Sequence, residues 1–261
     1  MPELLLELHS EEIPARMQVR AAADLQRLVV EGLQAAGLGT GEALSFATPR
    51  RLALCVKDVP AMSPAVTEER KGPRVGAPEK AIEGFMRGAG LASIEEAEIV
   101  ADPKKGEFYV ARIEKPGRPA PEIIAEAVLA ACQKFPWPKS MRWGSGDFTW
   151  VRPLQNVLCL FDGKVVPLEV AGLAANDRTR GHRFLGREWF TVTDFEDYGL
   201  KLKDRNVLLP TSERAAAIRE DAQAVAQGAG LELVEDEALA LENAGLTEWP
   251  TVLMGTFDQE F

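Results

Sequence analysis

Apolar and polar positions along this chain follow two periods, and the switches between them mark its elements. ELLLEL, residues 3–8, is an almost unbroken apolar run of strand length, the pattern of a strand covered on both faces. Pro14 suits the first turn of a helix, and Met17, Ala21, Leu25, Leu28, Val29 and Leu33 then recur on one helical face until Gly37. ALSFA and RLALCVKDV read as two strands joined by Thr48-Pro49-Arg50. Residues 60–80, crowded with proline and charge, read as a long irregular loop. APEKAIEGFMRGAG predicts a short helix, and AEIV with FYVARIE predicts a hairpin across DPKKGE.

KPGRPAP, residues 115–121, has the composition of a hinge and would divide the chain into subdomains 1–117 and 118–261. The helical pattern EIIAEAVLAACQKF follows. NVLCLF and KVVPLEV flank Asp162-Gly163, a dipeptide suited to a type I′ hairpin turn. Thr193 and Glu196 fit a capping box for a helix over DFEDYGLKLKD. Two more helices are expected, from Thr211-Ser212 to Gly228 and over DEALALENAG, then a strand over WPTVLMGTF. Strands and helices alternate without a regular βαβ beat, so the expected class is α+β, with mixed or antiparallel sheets and packed helices. The stop at Phe261, directly after a predicted strand, reads as a fragment of a longer chain.

Charge changes the picture. The chain has 40 acidic and 30 basic residues, which argues against a general polyanion binder. Residues 134–187, however, carry nine Lys or Arg against four Asp or Glu, while residues 188–261 carry five against sixteen. Such asymmetry points to a localised contact with a polyanion on an acidic body. Cys55, Cys132 and Cys159 are odd in number, lack CxxC spacing and sit among apolar neighbours, which fits free thiols in a cytoplasmic protein. No apolar run approaches the roughly 18 residues of a membrane span. MPELLLELHSEE has no basic start, so it does not read as a secretory signal.

Catalytic signatures are missing. There is no P-loop and no GxSxG, and GLGTG follows a helix instead of a strand. His9 and His182 have no metal-ligand partner at helical or hairpin spacing, and adjacent Glu11 and Glu12 diverge on either kind of element. Neither a catalytic residue nor a metal site is expected. The positive signal is FPWPKSMRWGSGDFTWVRP, residues 135–153, where Lys139, Arg142 and Arg152 stand among Trp137, Trp143 and Trp150. Indole faces stack on unpaired bases and cations neutralise phosphates; the plain alternative is that the tryptophans fill a core while the cations face water. TRGHRF adds Arg180, His182 and Arg183, whose alternative is salt bridging to the acidic C-terminal helices. TPRRLA sets Arg50 and Arg51 on opposite strand faces, so at most one meets a ligand, and Lys71 with Arg74 lies in the 60–80 segment.

Taken in order, E-x3-EEIP at 7–14, TPRRLA at 48–53, KGP at 71–73, PKSMRWG at 138–144, VRP at 151–153, RGHRF at 180–184 and EWP at 248–250 resemble the beta subunit of bacterial glycyl-tRNA synthetase. The likeness runs over the whole length given and implies an N-terminal portion of that subunit. It also implies a complex of two alpha and two beta chains that joins glycine to tRNA(Gly) with ATP and magnesium. In that complex the alpha subunit would carry catalysis, so this region would bind no cofactor. The fold implied is similar to the B3/B4 region of the phenylalanyl enzyme's beta subunit. The expected partners are the alpha subunit and tRNA(Gly), with neither DNA nor a membrane. Lys139, Arg142, Trp143, Arg152, Arg180, His182, Arg183, Arg50 and Lys71 are the expected RNA contacts. An anchor for the alpha subunit, or an editing domain for mischarged tRNA, is the alternative role.

Overall fold

A computed structural model describes residues 2–102 and 106–258. In chain order the elements are β1 (Leu4–Ser10), α1 (Ala15–Ala35), β2 (Ala43–Thr48), β3 (Arg51–Val56), β4 (Val66–Arg74), α2 (Glu79–Ala89), β5 (Glu98–Asp102) and β6 (Gly106–Lys115). Then come α3 (Ala120–Gln133), β7 (Leu154–Phe161), β8 (Lys164–Val165), β9 (Glu169–Val170), β10 (Leu173–Ala174), β11 (Arg178–Arg180) and β12 (Trp189–Thr191). Three helices close the order: α4 (Phe195–Lys203), α5 (Thr211–Gly228) and α6 (Glu237–Ala244). The class is α+β with antiparallel sheets.

The chain forms two compact units: a body of residues 1–61 and 120–261, and an inserted unit of residues 62–119. KPGRPAP spans the return crossing, while the outward crossing lies at Ala61–Met62, within the proline-rich stretch that reads as loop.

The body is built on a five-stranded sheet ordered β2-β3-β1-β7-β8. β1 and β3 are buried along their whole length because both sheet faces are covered. On one face Leu4, Leu6 and Leu8 join Leu52, Leu54 and Val157 in a core with Leu25 and Val29 of α1 and Ile124 and Val128 of α3. On the other, Leu5, Ala53, Leu158 and Leu160 meet Tyr198 and Leu202 of α4. Two-sided burial explains why ELLLEL shows no alternation. By strand parity Glu7 and His9 share the second face with Leu5. The Asp162-Gly163 turn has φ of 51° and 72°, the two positive values a type I′ turn needs, and it pairs Phe161 with Lys164.

The inserted unit is a sheet ordered β4-β6-β5 with a small core of Phe85, Ala89 and Ala111. Residues 66–74 are therefore strand, not loop. Their charge reflects exposed side chains, and Pro73 falls where the register slips between Lys71 and Arg74, a position that tolerates a missing N–H. The turn predicted over DPKKGE includes residues 103–105, which lie outside the described residues.

Two further expectations shift. The cap of α4 is Asp194, whose carboxylate accepts the Asp197 N–H at 2.8 Å, while the Asp197 carboxylate accepts the Thr193 N–H at 3.0 Å. The cap thus sits one residue later than Thr193 and Glu196 suggest, and the return bond from Asp197 goes to the N–H of Thr193, the residue before the cap. WPTVLMGTF forms no strand: the described residues after Ala244 are irregular, and Leu253 and Phe257 are 84% and 82% exposed, with no ladder partner to order them.

Candidate functional site

Four of the sequence motifs converge at the end of β1. Arg51, at the start of β3, points into the body and is fully buried. Its guanidinium donates to both oxygens of Glu248, Nε at 2.8 Å and Nη2 at 3.3 Å, and Nη1 donates to Glu7 at 3.2 Å and to the Arg180 carbonyl at 3.1 Å. The carboxylates are further satisfied: Tyr198 and Thr179 hydroxyls donate to Glu7, and the Thr48 hydroxyl donates to Glu248 at 2.6 Å. Arg214 of α5 is also buried, and its donors reach the carbonyls of Ala244, Leu208, Leu209 and Ala47. Burial pulls its pKa down to about 10, partly offset by Glu248. Two guanidinium groups and two carboxylates leave this interior formally neutral, which is how it tolerates burial.

His9 adjoins this cluster, 1% exposed, and neither ring nitrogen has a hydrogen-bond partner among the described residues. Burial, then the charges of Arg51 and Arg50, holds its pKa well below the ordinary 6.5. Burial alone would raise Glu248, but Arg51 and the hydrogen bonds from Arg51 and Thr48 outweigh it and lower the carboxyl below 4.5. Both groups bind protons more weakly folded than unfolded, so both contribute stability that is lost on acidification. The His9 contribution begins to fade below about pH 6.5, and that of Glu248 only below about pH 4.5. Urea midpoints measured against pH are therefore expected to fall in two stages. His9→Gln should shrink the upper stage, leaving the smaller part due to the less buried His182, and leave the lower stage in place; a wild-type midpoint constant from pH 7 to about 5 would contradict the assignment.

Outside the buried cluster lies a rim of cations. The Arg50 side chain is 11% exposed and lies 3.4 Å from Glu11, and Arg183 donates to Glu12 at 2.6 Å, so the paired carboxylates of EEIP orient one arginine each. Arg183 stays 40% exposed and keeps donors free to meet an anion. Arg180 lies over the Trp189 ring at 5.0 Å. His182 accepts the N–H groups of Phe184 and Leu185 at Nδ1, which leaves its proton on Nε2; burial leads the downward pull on its pKa. Gly181 packs against Arg205, and a Cβ there would overlap it, so the glycine serves close approach and not a positive φ. The partner of Arg183 is thus an N-terminal glutamate and not the acidic C-terminal helices.

The second predicted group lies on the segment after α3. The Pro153 carbonyl accepts the Glu11 N–H at 2.9 Å, which brings the end of this segment to the base of the rim. Arg152 is half-buried and donates to the Val151 carbonyl at 2.7 Å. Arg142 is 68% exposed and 3.6 Å from Asp147; Lys139 is exposed. Trp150 is fully buried, with Phe135, Trp137 and Phe148 around it at centroid distances of 4.7, 5.1 and 6.0 Å. Trp143 is half-buried and meets Phe148 edge-on at 5.9 Å. Lys71 belongs to the inserted unit, where its ammonium lies 3.7 Å over Phe108. The structure therefore gathers Arg50, Arg180, His182 and Arg183 in one rim, with Lys139, Arg142, Trp143 and Arg152 on the neighbouring loop.

Sequence reasoning missed Glu7, Tyr198, Arg214 and Glu248. The available signal was the pairing of isolated carboxylates in apolar or aromatic runs, ELLLEL and EWP, with an arginine at a strand start. Among the described residues no group of three or more His, Cys, Asp or Glu side chains is placed to hold a metal.

Residues 4–261 match the family described as glycyl-tRNA synthetase beta subunit. The chain belongs to this family. It is 55% identical over its full length to the glycine–tRNA ligase beta subunit of Ruegeria sp. (strain TM1040) and 52% identical to that of Paracoccus denitrificans (strain Pd 1222). It spans 38% of the length of each of these relatives. Of the stretches singled out in the sequence, EEIP, TPRRLA, RGHRF and EWP meet around Arg51.

Proposed function

We propose that this chain is the RNA-facing region of the beta subunit of a cytoplasmic glycine–tRNA ligase, working with an alpha subunit in a complex of two alpha and two beta chains. The complex attaches glycine to tRNA(Gly) with ATP. The observation that carries the RNA role is the rim itself: Arg183 is oriented by Glu12 and stays 40% exposed, Arg50 is held beneath it by Glu11, and the loop that ends at Pro153 adds the exposed Lys139 and Arg142. Charges held in place lose less entropy on meeting a phosphate chain than free ones do. The buried Glu7–Arg51–Glu248 cluster acts as a scaffold, because its polar atoms are already engaged with one another. In this reading ATP and magnesium act at the alpha subunit, as the family resemblance implies.

Affinity for tRNA(Gly), measured by fluorescence anisotropy across salt concentrations, should fall with a log–log slope of about −2 to −4 if three to five phosphates are met. Arg142→Ala and Arg183→Ala should each weaken binding and make the slope shallower by about 0.7–0.9. An unchanged slope removes that residue from the interface. The assembly reading rests on the half-buried Trp143 beside exposed Arg142, a pairing common at protein hot spots. If an Arg142→Ala/Trp143→Ala double variant keeps tRNA but no longer retains the alpha subunit, this loop is the subunit anchor instead.

A further inference from the structure

A cleft of about 370 Å³ lies between the start of α1 and the turn Phe135-Pro136-Trp137-Pro138-Lys139. Its apolar wall includes Met17, Trp137 and Pro138, and Arg16, Arg20 and Lys139 stand at its edge. All three cations are exposed. The one carboxylate in the cleft, Asp24, is shared between Arg20 at 3.6 Å and Arg27 at 3.0 Å, so the edge keeps a positive excess. The first turn of α1 has no side-chain cap and no acidic residue, which leaves the positive end of its dipole unopposed.

We infer that this cleft receives one unpaired nucleotide of the bound RNA, its base against Met17, Trp137 and Pro138 and its phosphate among Arg16, Arg20 and Lys139. The inference rests on the RNA reading above and names the chemistry of a subsite within it. Size favours a single nucleotide, because the volume lies at the small end of the roughly 300–1,000 Å³ typical of small-ligand sites. Chemistry favours it as well: an aromatic and a proline face accept a base of any identity, while separated cations suit a phosphate that has no fixed orientation. A paired base would keep its faces stacked within the duplex, so the site selects single-stranded segments. The platform is set before binding. Trp137 is held against Phe135 at 4.6 Å and against the buried Trp150 at 5.1 Å, so stacking costs little rearrangement. Neither Arg16 nor Arg20 belongs to the basic segment that sequence alone singles out; the fold of α1 against the turn brings them there.

The test uses the complete alpha–beta assembly and tRNA(Gly) substituted with 4-thiouridine. Irradiation should crosslink the RNA to peptides spanning residues 15–21 or 135–139. Arg16→Glu with Arg20→Glu, both on the exposed face of α1, should abolish that crosslink and weaken tRNA binding by about tenfold or more. A single-stranded hexanucleotide should compete for the crosslink, and the same sequence as a duplex should not. Crosslinks confined to other peptides, with tRNA affinity still sensitive to Arg183→Ala, would overturn the cleft and leave the RNA reading standing. Affinity indifferent to Arg142, Arg183 and the cleft variants alike would overturn both. Loss of the alpha subunit from the double variant, at unchanged tRNA affinity, would assign the cleft to a protein partner and overturn the inference.

Discussion

Arg51→Ala lowers the stability of the body by about 3–5 kcal/mol, the cost of leaving buried charges without their partner. Both Glu7 and Glu248 lose their guanidinium contacts at once, and Arg51 is fully buried, so water cannot replace it without opening the core. All five tryptophans lie outside residues 62–119, so the denaturant transition of the body can be followed by fluorescence without interference from the inserted unit. Neutralising the orphaned partners tests the cause. An Arg51→Met, Glu7→Gln, Glu248→Gln triple variant should recover part of the loss, because the penalty belongs to unpaired charge more than to missing contacts. A loss below about 1 kcal/mol for Arg51→Ala would mean that the carboxylates find other partners or protonate cheaply.

Trp150→Ala should cost about as much, roughly 3–5 kcal/mol, by emptying the centre of an aromatic cluster. Trp150 is 0% exposed and meets three rings, and its backbone pairs in both directions with Met141 at 2.8 and 3.2 Å. The loop that carries Lys139 and Arg142 is therefore anchored through this residue, and tRNA affinity should fall along with the denaturation midpoint. Trp143→Ala serves as the control: its ring is only half-buried, at the edge of the core and edge-on to Phe148, so stability should change less. If the two variants were equally stable, the loop would not hang on Trp150.

The contrast between these two tryptophans shows what the sequence could and could not reveal. The hairpin at Asp162-Gly163 is legible because its cause is local: only residues tolerant of positive φ fit a type I′ turn. The buried strands and the α1 face are legible because burial repeats at a fixed spacing. Grouping of charge and indole in residues 135–153 is equally visible, but which indole faces inward depends on how the segment closes on α3 and α1. Trp150 proves to be core, and only Trp137 and Trp143 keep partial exposure. For the arginines, strand alternation separates Arg50 from Arg51, yet nothing local says which one turns inward or what it meets there. The partners of Arg51 lie 44 and 197 residues away. β4 was hidden for a different reason: an exposed strand in a small sheet has no apolar face to announce it.

The same distances bear on how the polypeptide matures. Glu7 and Arg51 are made early by the ribosome, whereas Tyr198, Arg214 and Glu248 emerge only near the end of the 261 residues. Until then the first strands carry an acid and a guanidinium with no complete set of mates, and closing such remote contacts is slow. The nascent chain can pair its early hairpins and helix, but it cannot seal the interior before Glu248 has left the exit tunnel.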